Sequence, residues 1–495
     1  MLVHQLINEG KDEVVAFHGK NINYHQFKEM VGKYRNYLYY QGVRSGQNVG
    51  LFSRNSVEFV CSYMAIVSLG AVVVPINNQL TLREIKYIIG DAGIRYLITM
   101  ARLDFTTEVD KLGAMEQVTQ LVLSDFSPML FELELPEAPK LAAEFSDEEA
   151  CAIIYTSGTT GKPKGALLTH RNLVENAKAF QAVLGINAGD TVLCVLPLYH
   201  CFSWTCSILN SLLAGASIVV LPAFAPKETL AAIKEYKVTV MYGVPPIYNL
   251  LLRVGEKTDL AGVRIFVSGG ASLPQPVAEQ FFNKYGINVV EGYGLSEASP
   301  VVALNPPEKT KYCSIGKPLP GLEVRIVGND GEELPFGDVG ELVVKGASVM
   351  KEYYNLPLDT AKAIRDGWLH TGDLAYQDEE RYLFIVDRLK DMIIVNGENV
   401  YPREIEEVLY SYPGVIEATV IGVSDSLRGQ AVRAYVVLTE GQRLDKKAIK
   451  GYLNARLAGY KVPRDFVQIN QLPKNNTGKI LKRVLCEQAE NERAV

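Results

Sequence analysis

The chain has 495 residues, 48% hydrophobic and 21% charged, with a formal net charge of -6. That length is enough for about three domains and for large buried cores. A mildly acidic chain, with no block of Lys and Arg interleaved with aromatics, gives no sign of a nucleic-acid-binding surface.

Along the first 300 residues, strand-like and helix-like segments alternate. Residues 49–52 read as a buried strand, 56–69 as a helix, 71–75 as a strand, 82–89 as a helix and 95–99 as a strand. Short apolar runs follow at 151–155, 191–196, 217–221, 238–242 and 264–268, with helical patterns between them. Such alternation predicts parallel sheets covered on both faces, with ligands beyond the carboxyl ends of the strands. After Pro300 the strands 323–327, 341–344 and 382–386, separated by turns such as Asn329-Asp330-Gly331, predict a smaller antiparallel unit. From Tyr401 onward the pattern is α+β: a helix at 402–410 with Pro in its first turn, strands at 415–423 and 431–438, and a helix at 445–457. A domain boundary is expected near 387–390.

The first 15 residues carry Glu9, Lys11, Asp12 and Glu13 in place of a basic, then apolar, leader. No apolar run reaches the roughly 20 residues of a bilayer span, and the C-terminus has no lipidation motif. The expectation is a cytoplasmic protein that meets membranes only through its substrate. Seven cysteines without C-x-x-C spacing predict reduced core thiols, and six scattered histidines offer no metal-ligand pair.

The most informative stretch is Tyr155-Thr-Ser-Gly-Thr-Thr-Gly-Lys-Pro-Lys-Gly165. Gly158, Gly161 and Gly165 allow tight turns and close approach to a ligand. Thr156, Ser157, Thr159 and Thr160 offer hydroxyls, and Lys162 and Lys164 offer positive charge. The set suits a polyphosphate. It is not the G-x-x-x-x-G-K-[ST] loop, because Gly158 and Gly161 are too close and Pro163 takes the Ser/Thr place.

This stretch resembles the phosphate-binding loop of the adenylate-forming superfamily, which contains acyl-CoA synthetases, peptide-synthetase adenylation domains and luciferases. Four further segments are similar to its motifs in the same order: 291–300 (EGYGLSEASP), 368–373 (WLHTGD), 387–397 (DRLKDMIIVNG) and 473–479 (PKNNTGK). The resemblance implies an α/β fold: a large N-terminal domain, 1–388, of two mostly parallel α/β sheets plus a small antiparallel β-barrel-like unit. A small mobile α+β C-terminal domain, 389–495, would follow.

It also implies roles. Glu297, with Thr156, would hold Mg2+, a hard cation that takes oxygen ligands. Ser296 would donate to the α-phosphate, and Tyr293 would cover adenine above the turn containing Gly269, Gly270 and Ala271. Glu291, Gly292 and Gly294 complete the nucleotide set, Asp373 would accept from the ribose hydroxyls, and Arg388 would contact ribose or phosphate. Lys479 would sit between the attacking carboxylate and the α-phosphate, where a cation relieves the repulsion of two anions. His200 would contact the acyl carboxylate. Trp204 resembles the gate of an acyl tunnel, although a core aromatic fits it equally well. Tyr242, Val244, Gly270 and Leu295 would line the acyl site, Lys390 would be the hinge residue, and Gly397 would lie against the pantetheine of coenzyme A.

The expected reaction joins a medium- to long-chain fatty acid to CoA through an acyl-adenylate, with ATP, Mg2+ and CoA. The pocket segments 201–213 and 242–250 are apolar and lack the acidic residue that pairs with an amino-acid ammonium. Burial of an alkyl chain gains about 0.8 kcal/mol per methylene. A CoA ligase for an aromatic acid, an acyl-AMP ligase serving a carrier protein, and a non-catalytic acyl or nucleotide sensor stay open. A peptide-synthetase module is disfavoured by the 16 residues after Lys479. Partners are expected to be small molecules; peripheral membrane association and a homodimer stay open.

Overall fold

The computed structural model describes residues 1–7, 15–105, 118–156, 163–425, 428–474 and 480–494. Four sheets of five or more strands organise them. The first has seven strands. Its centre is parallel: Ala150–Thr156, Val72–Pro75, Asn48–Phe52, Tyr96–Thr99 and Thr119–Val122. Lys164–Thr169 and then Glu352–Tyr353 join antiparallel at one edge. The second sheet has nine strands, parallel from Val289–Gly294 through Ile265–Ser268, Val240–Gly243, Thr191–Cys194 and Ser217–Val220 to Val15–Phe17, with antiparallel edge pairs.

The central strands are continuous apolar runs because both of their faces are covered. Helix Val57–Ser68 shows the same logic. Its N-cap Ser56 hydroxyl accepts from the Phe59 amide at 3.1 Å, and every residue except Glu58 is buried. A helix apolar on all sides belongs inside a protein. This one packs into the core that Trp204, Phe17 and Ile218 share.

The third sheet is antiparallel: Leu322–Val327, Gly340–Gly346, Trp368–Gln377 and Ile364–Arg365 in order, with Leu383–Arg388 also on Trp368–Gln377. It is the small unit expected after Pro300, and its long strand Trp368–Gln377 went unread in the sequence. The fourth sheet, over 393–468, pairs Val415–Asp425 with Gly429–Leu438 and has its own apolar core around Ile405, Val420, Ala434 and Phe466. All seven cysteines are free, five of them buried. No helix among the described residues is long and apolar enough to cross a membrane.

Candidate nucleotide and acyl site

Strand Ala150–Thr156 ends at the glycine-rich stretch, of which Ser157, Gly158, Thr159, Thr160, Gly161 and Lys162 lie outside the described residues. Its two flanks are paired. Thr156 is opposite Lys164 and Tyr155 opposite Gly165, and the Thr156 hydroxyl donates to the Lys164 carbonyl at 3.4 Å. The Lys164 ammonium is 2.6 Å from Asp359 and 5.4 Å from the centre of the Tyr353 ring. The Tyr353 hydroxyl in turn donates to Glu297 Oε1 at 2.8 Å. Glu297 lies in the short turn Ser296–Ala298, half-buried, and its carbonyl accepts from the Met350 amide at 2.7 Å. Ser296 is buried with its hydroxyl 3.2 Å from Cys201 Sγ, which seats the segment after His200 beside it. Half-buried His200 accepts from the Phe202 amide through Nδ1 at 3.2 Å, capping the turn Cys201–Ser203.

A second cluster joins two sheets. Tyr293, from the nine-stranded sheet, donates its hydroxyl to Asp373 of the antiparallel sheet. Asp373 stands opposite Arg388 in register and pairs with its guanidinium at 3.3 Å. Burial, and then the Asp373 carboxylate, hold the Tyr293 phenol well above the usual range. Gly292 and Gly294 flank Tyr293. A Cβ at Gly294 would overlap the Pro300 carbonyl, so this bend admits no side chain.

Glu291 turns its side chain inward. Its side chain is 5% exposed, and Oε1 accepts from the Leu273 amide at 3.1 Å. It therefore anchors the turn that presents Gly269, Gly270 and Ala271, of which Gly270 and Ala271 are exposed. The position in the motif was legible; the inward direction of the side chain was not. Burial pushes the Glu291 carboxyl up to about 7, opposed by the Arg403 guanidinium and the Leu273 amide. A carboxyl raised above its unfolded value contributes stability that is complete below the unfolded pKa and is lost as pH rises through about 7. Between about pH 5 and about pH 8 this group alone costs the wild type up to roughly 3 kcal/mol. Glu291→Gln keeps an acceptor for Leu273 and removes the charge. It is expected to flatten the fall of denaturation midpoint over that interval; an identical slope in both proteins would refute the buried-charge account.

The expected acyl residues divide between two cores. Tyr242 and Val244 pack with Phe202 in the core of the nine-stranded sheet; the Tyr242 ring is 5.8 Å from Phe180 and 6.3 Å from Phe202. Gly269 closes this wall, since a Cβ there would come within 3.1 Å of the Phe202 ring. Gly270, at φ +78°, adjoins Val244. Trp204 points elsewhere. It is 2% exposed and stacked on Tyr63 at 3.7 Å, in the core shared with helix Val57–Ser68. Leu295, half-buried, packs against that same core. The structure thus does not bring Trp204 to Tyr242 and Val244; Phe202 and Trp204, two residues apart, lie on opposite faces of the helical segment.

Lys390 is exposed on the connector after strand Leu383–Arg388, and Gly397 is exposed at φ +88° in the turn between Ile393–Val395 and Glu398–Val400. Asp387 accepts from the Arg388 and Arg403 amides at 2.7 and 2.9 Å, and Arg403 donates to the Ile385 carbonyl at 2.7 Å. Helix Pro402–Tyr410 is thereby docked beside the connector. Lys479 lies outside the described residues. Tyr353, Asp359 and Arg403 were missed in the sequence, because none carries a periodic or glycine-rich signal of its own; Phe202 lies within the expected pocket segment 201–213.

The AMP-binding enzyme family matches residues 4–354, and the AMP-binding enzyme C-terminal domain matches residues 404–479. A long-chain-fatty-acid–CoA ligase of Bacillus subtilis (strain 168) is 36% identical, over 96% of this chain and 91% of its own. A feruloyl-CoA synthase of an Amycolatopsis species is also 36% identical, over 94% of this chain and 93% of its own. ATP-bound MatB from Rhodopseudomonas palustris superimposes with a TM-score of 0.91 at 31% identity, covering 99% of this chain and 100% of that one. With the family matched over most of its length, its nucleotide motifs in order and its fold shared, this chain belongs to the AMP-binding enzyme family.

Proposed function

We propose that the protein is an AMP-forming acid–CoA ligase. The observation that carries this reading is the convergence of Tyr293, Asp373 and Arg388 in one cluster, with Lys164 and Glu297 bridged through Tyr353 and Asp359. The first group offers an aromatic face and an acceptor for ribose hydroxyls; the second offers a cation and a hard anionic oxygen for polyphosphate.

In this reading Asp373 accepts from the ribose, Ser296 donates to the α-phosphate, and the hydroxyls of 156–160 with Lys162 and Lys164 hold the outer phosphates. Lys479, delivered by the C-terminal domain (389–495), offsets the repulsion between the acid's carboxylate and the α-phosphate as pyrophosphate leaves. His200 borders the carboxylate. Rotation about Lys390 then exchanges Lys479 for the face carrying Gly397, past which the CoA thiolate reaches the acyl carbonyl and AMP departs. Among the described residues no three His, Cys, Asp or Glu side chains are grouped so that they could hold a metal ion. The donors present, the Glu297 carboxylate and the Thr156 hydroxyl, fit Mg2+ taken up jointly with the phosphates. When bound, the ion neutralises phosphate charge as the leaving group separates.

For the acid, the apolar wall of Val244, Phe202 and Tyr242 supports an alkyl chain, and we assign the substrate as a medium- to long-chain fatty acid. A specific observation favours an aryl acid as the second reading. The Phe202 ring occupies the space behind Gly269, with the Tyr242 ring 6.3 Å from it, and packing against such a ring suits a flat ligand. Measuring AMP release with straight-chain, aromatic and amino acids, with and without CoA, tests both. CoA-dependent AMP formation peaking at long alkyl chains is expected. A peak at hydroxycinnamate-like acids would select the aryl reading, and adenylate formed without thioester would overturn the CoA step.

A further inference from the structure

We propose that Tyr353 is a positioning residue for the Glu297 carboxylate, holding it oriented for a magnesium–nucleotide complex before the nucleotide arrives. The inference rests on the ligase reading above and deepens it. It comes from a segment outside the five motifs read in the sequence. Strand Glu352–Tyr353 is only two residues long and sits at the sheet edge, opposite Leu167 and Ala166. Yet it is tied down on every side. The Lys351 amide donates to the Leu167 carbonyl at 3.0 Å, the Tyr354 amide to the Gly165 carbonyl at 2.8 Å, and the Tyr353 amide to the Thr360 hydroxyl at 2.9 Å. The Met350 amide donates to the Glu297 carbonyl at 2.7 Å, so the segment grips the Glu297 backbone as well as its side chain.

The consequence is geometric. A glutamate has three rotatable bonds, and a half-exposed carboxylate explores many orientations unless something selects one. The Tyr353 hydroxyl occupies Oε1 and selects one, while the same ring lies beside the Lys164 ammonium. Asp359, seven residues from Glu352 in the same segment, holds that ammonium. One short segment therefore sets the spacing between the carboxylate proposed for the metal and the lysine proposed for the phosphates. Preorganisation of this kind is worth about one hydrogen bond to a charged group.

The test uses the full chain and Mn2+ as a spectroscopic stand-in for Mg2+. Binding of Mn2+ in the presence of ATP, without acid or CoA, is followed by electron paramagnetic resonance for wild type, Tyr353→Phe and Glu297→Gln. Tyr353→Phe is expected to weaken Mn2+–ATP binding by about 10-fold, with ATP binding in EDTA unchanged and the thermal midpoint close to wild type. Glu297→Gln should weaken it further. Equal metal affinity in Tyr353→Phe and wild type would overturn the positioning role and leave the ligase reading intact. Equal weakening with and without metal would mark Tyr353 as a general support of the fold and also overturn it. An absence of metal-dependent ATP binding in the wild type would overturn both.

Discussion

Replacing Lys479 with alanine is expected to slow acyl-adenylate formation by about 100- to 1,000-fold, the range found when one preorganised stabiliser of developing charge is removed. The step joins a carboxylate to a phosphorus atom within a polyanion, and the described cations of the two clusters are already paired. Lys164 is engaged by Asp359, and Arg388 by Asp373. The residues flanking the lysine loop, Lys474 and Ile480, are bridged to one another, and Lys474 is held by Glu417. That arrangement leaves Lys479 as the candidate from the 473–479 motif. The check is to measure two half-reactions apart: pyrophosphate release from ATP and acid, and thioester formation from supplied acyl-AMP and CoA. The first should collapse while the second stays within about 3-fold of wild type, because the lysine acts on a charge that exists only in the first. Comparable losses in both would remove Lys479 from this role.

Trp204→Ala is the second large effect, and it is expected in stability. The indole is buried and stacked on Tyr63 at 3.7 Å, with Phe59 6.2 Å away. Truncating such a residue removes its transfer free energy and leaves a cavity that the surrounding sheets cannot close. The typical cost is about 3–5 kcal/mol. Urea denaturation of the N-terminal core should shift accordingly, while the rank order of acids in the AMP-release panel stays the same. The physical reason is the division of the two cores: Trp204 faces helix Val57–Ser68, and Tyr242 and Val244 face the other way with Phe202. A reordered acid profile with little loss of stability would restore the gate role that the resemblance implies.

Much of this protein was legible before any coordinates. The segments at 49–52, 95–99, 151–155 and 264–268 are apolar at their centres, and each contributes a strand with parallel neighbours. Burial on both faces leaves no other composition workable. The glycines and hydroxyls of 155–165 and the Tyr293, Asp373 and Arg388 positions were readable because they fall in segments that resemble the motifs of the adenylate-forming superfamily. The cluster of Tyr293 with Asp373 and Arg388 required only that three motifs meet, and they do.

Tertiary structure decided what a side chain faces. Glu291 lies in a nucleotide motif but turns inward to the Leu273 amide, and its direction depends on the turn packed behind it. Trp204 and Phe202 are two residues apart, so a helical backbone sends them to different cores. Tyr353 and Asp359 reach Glu297 and Lys164 across sequence separations of 56 and 195 residues. Sequence determined the chemistry available to this protein, because residue type and local spacing are written along the chain. Which of those groups meet was decided by sheet order and helix packing, because contacts between distant segments exist only once the chain has folded.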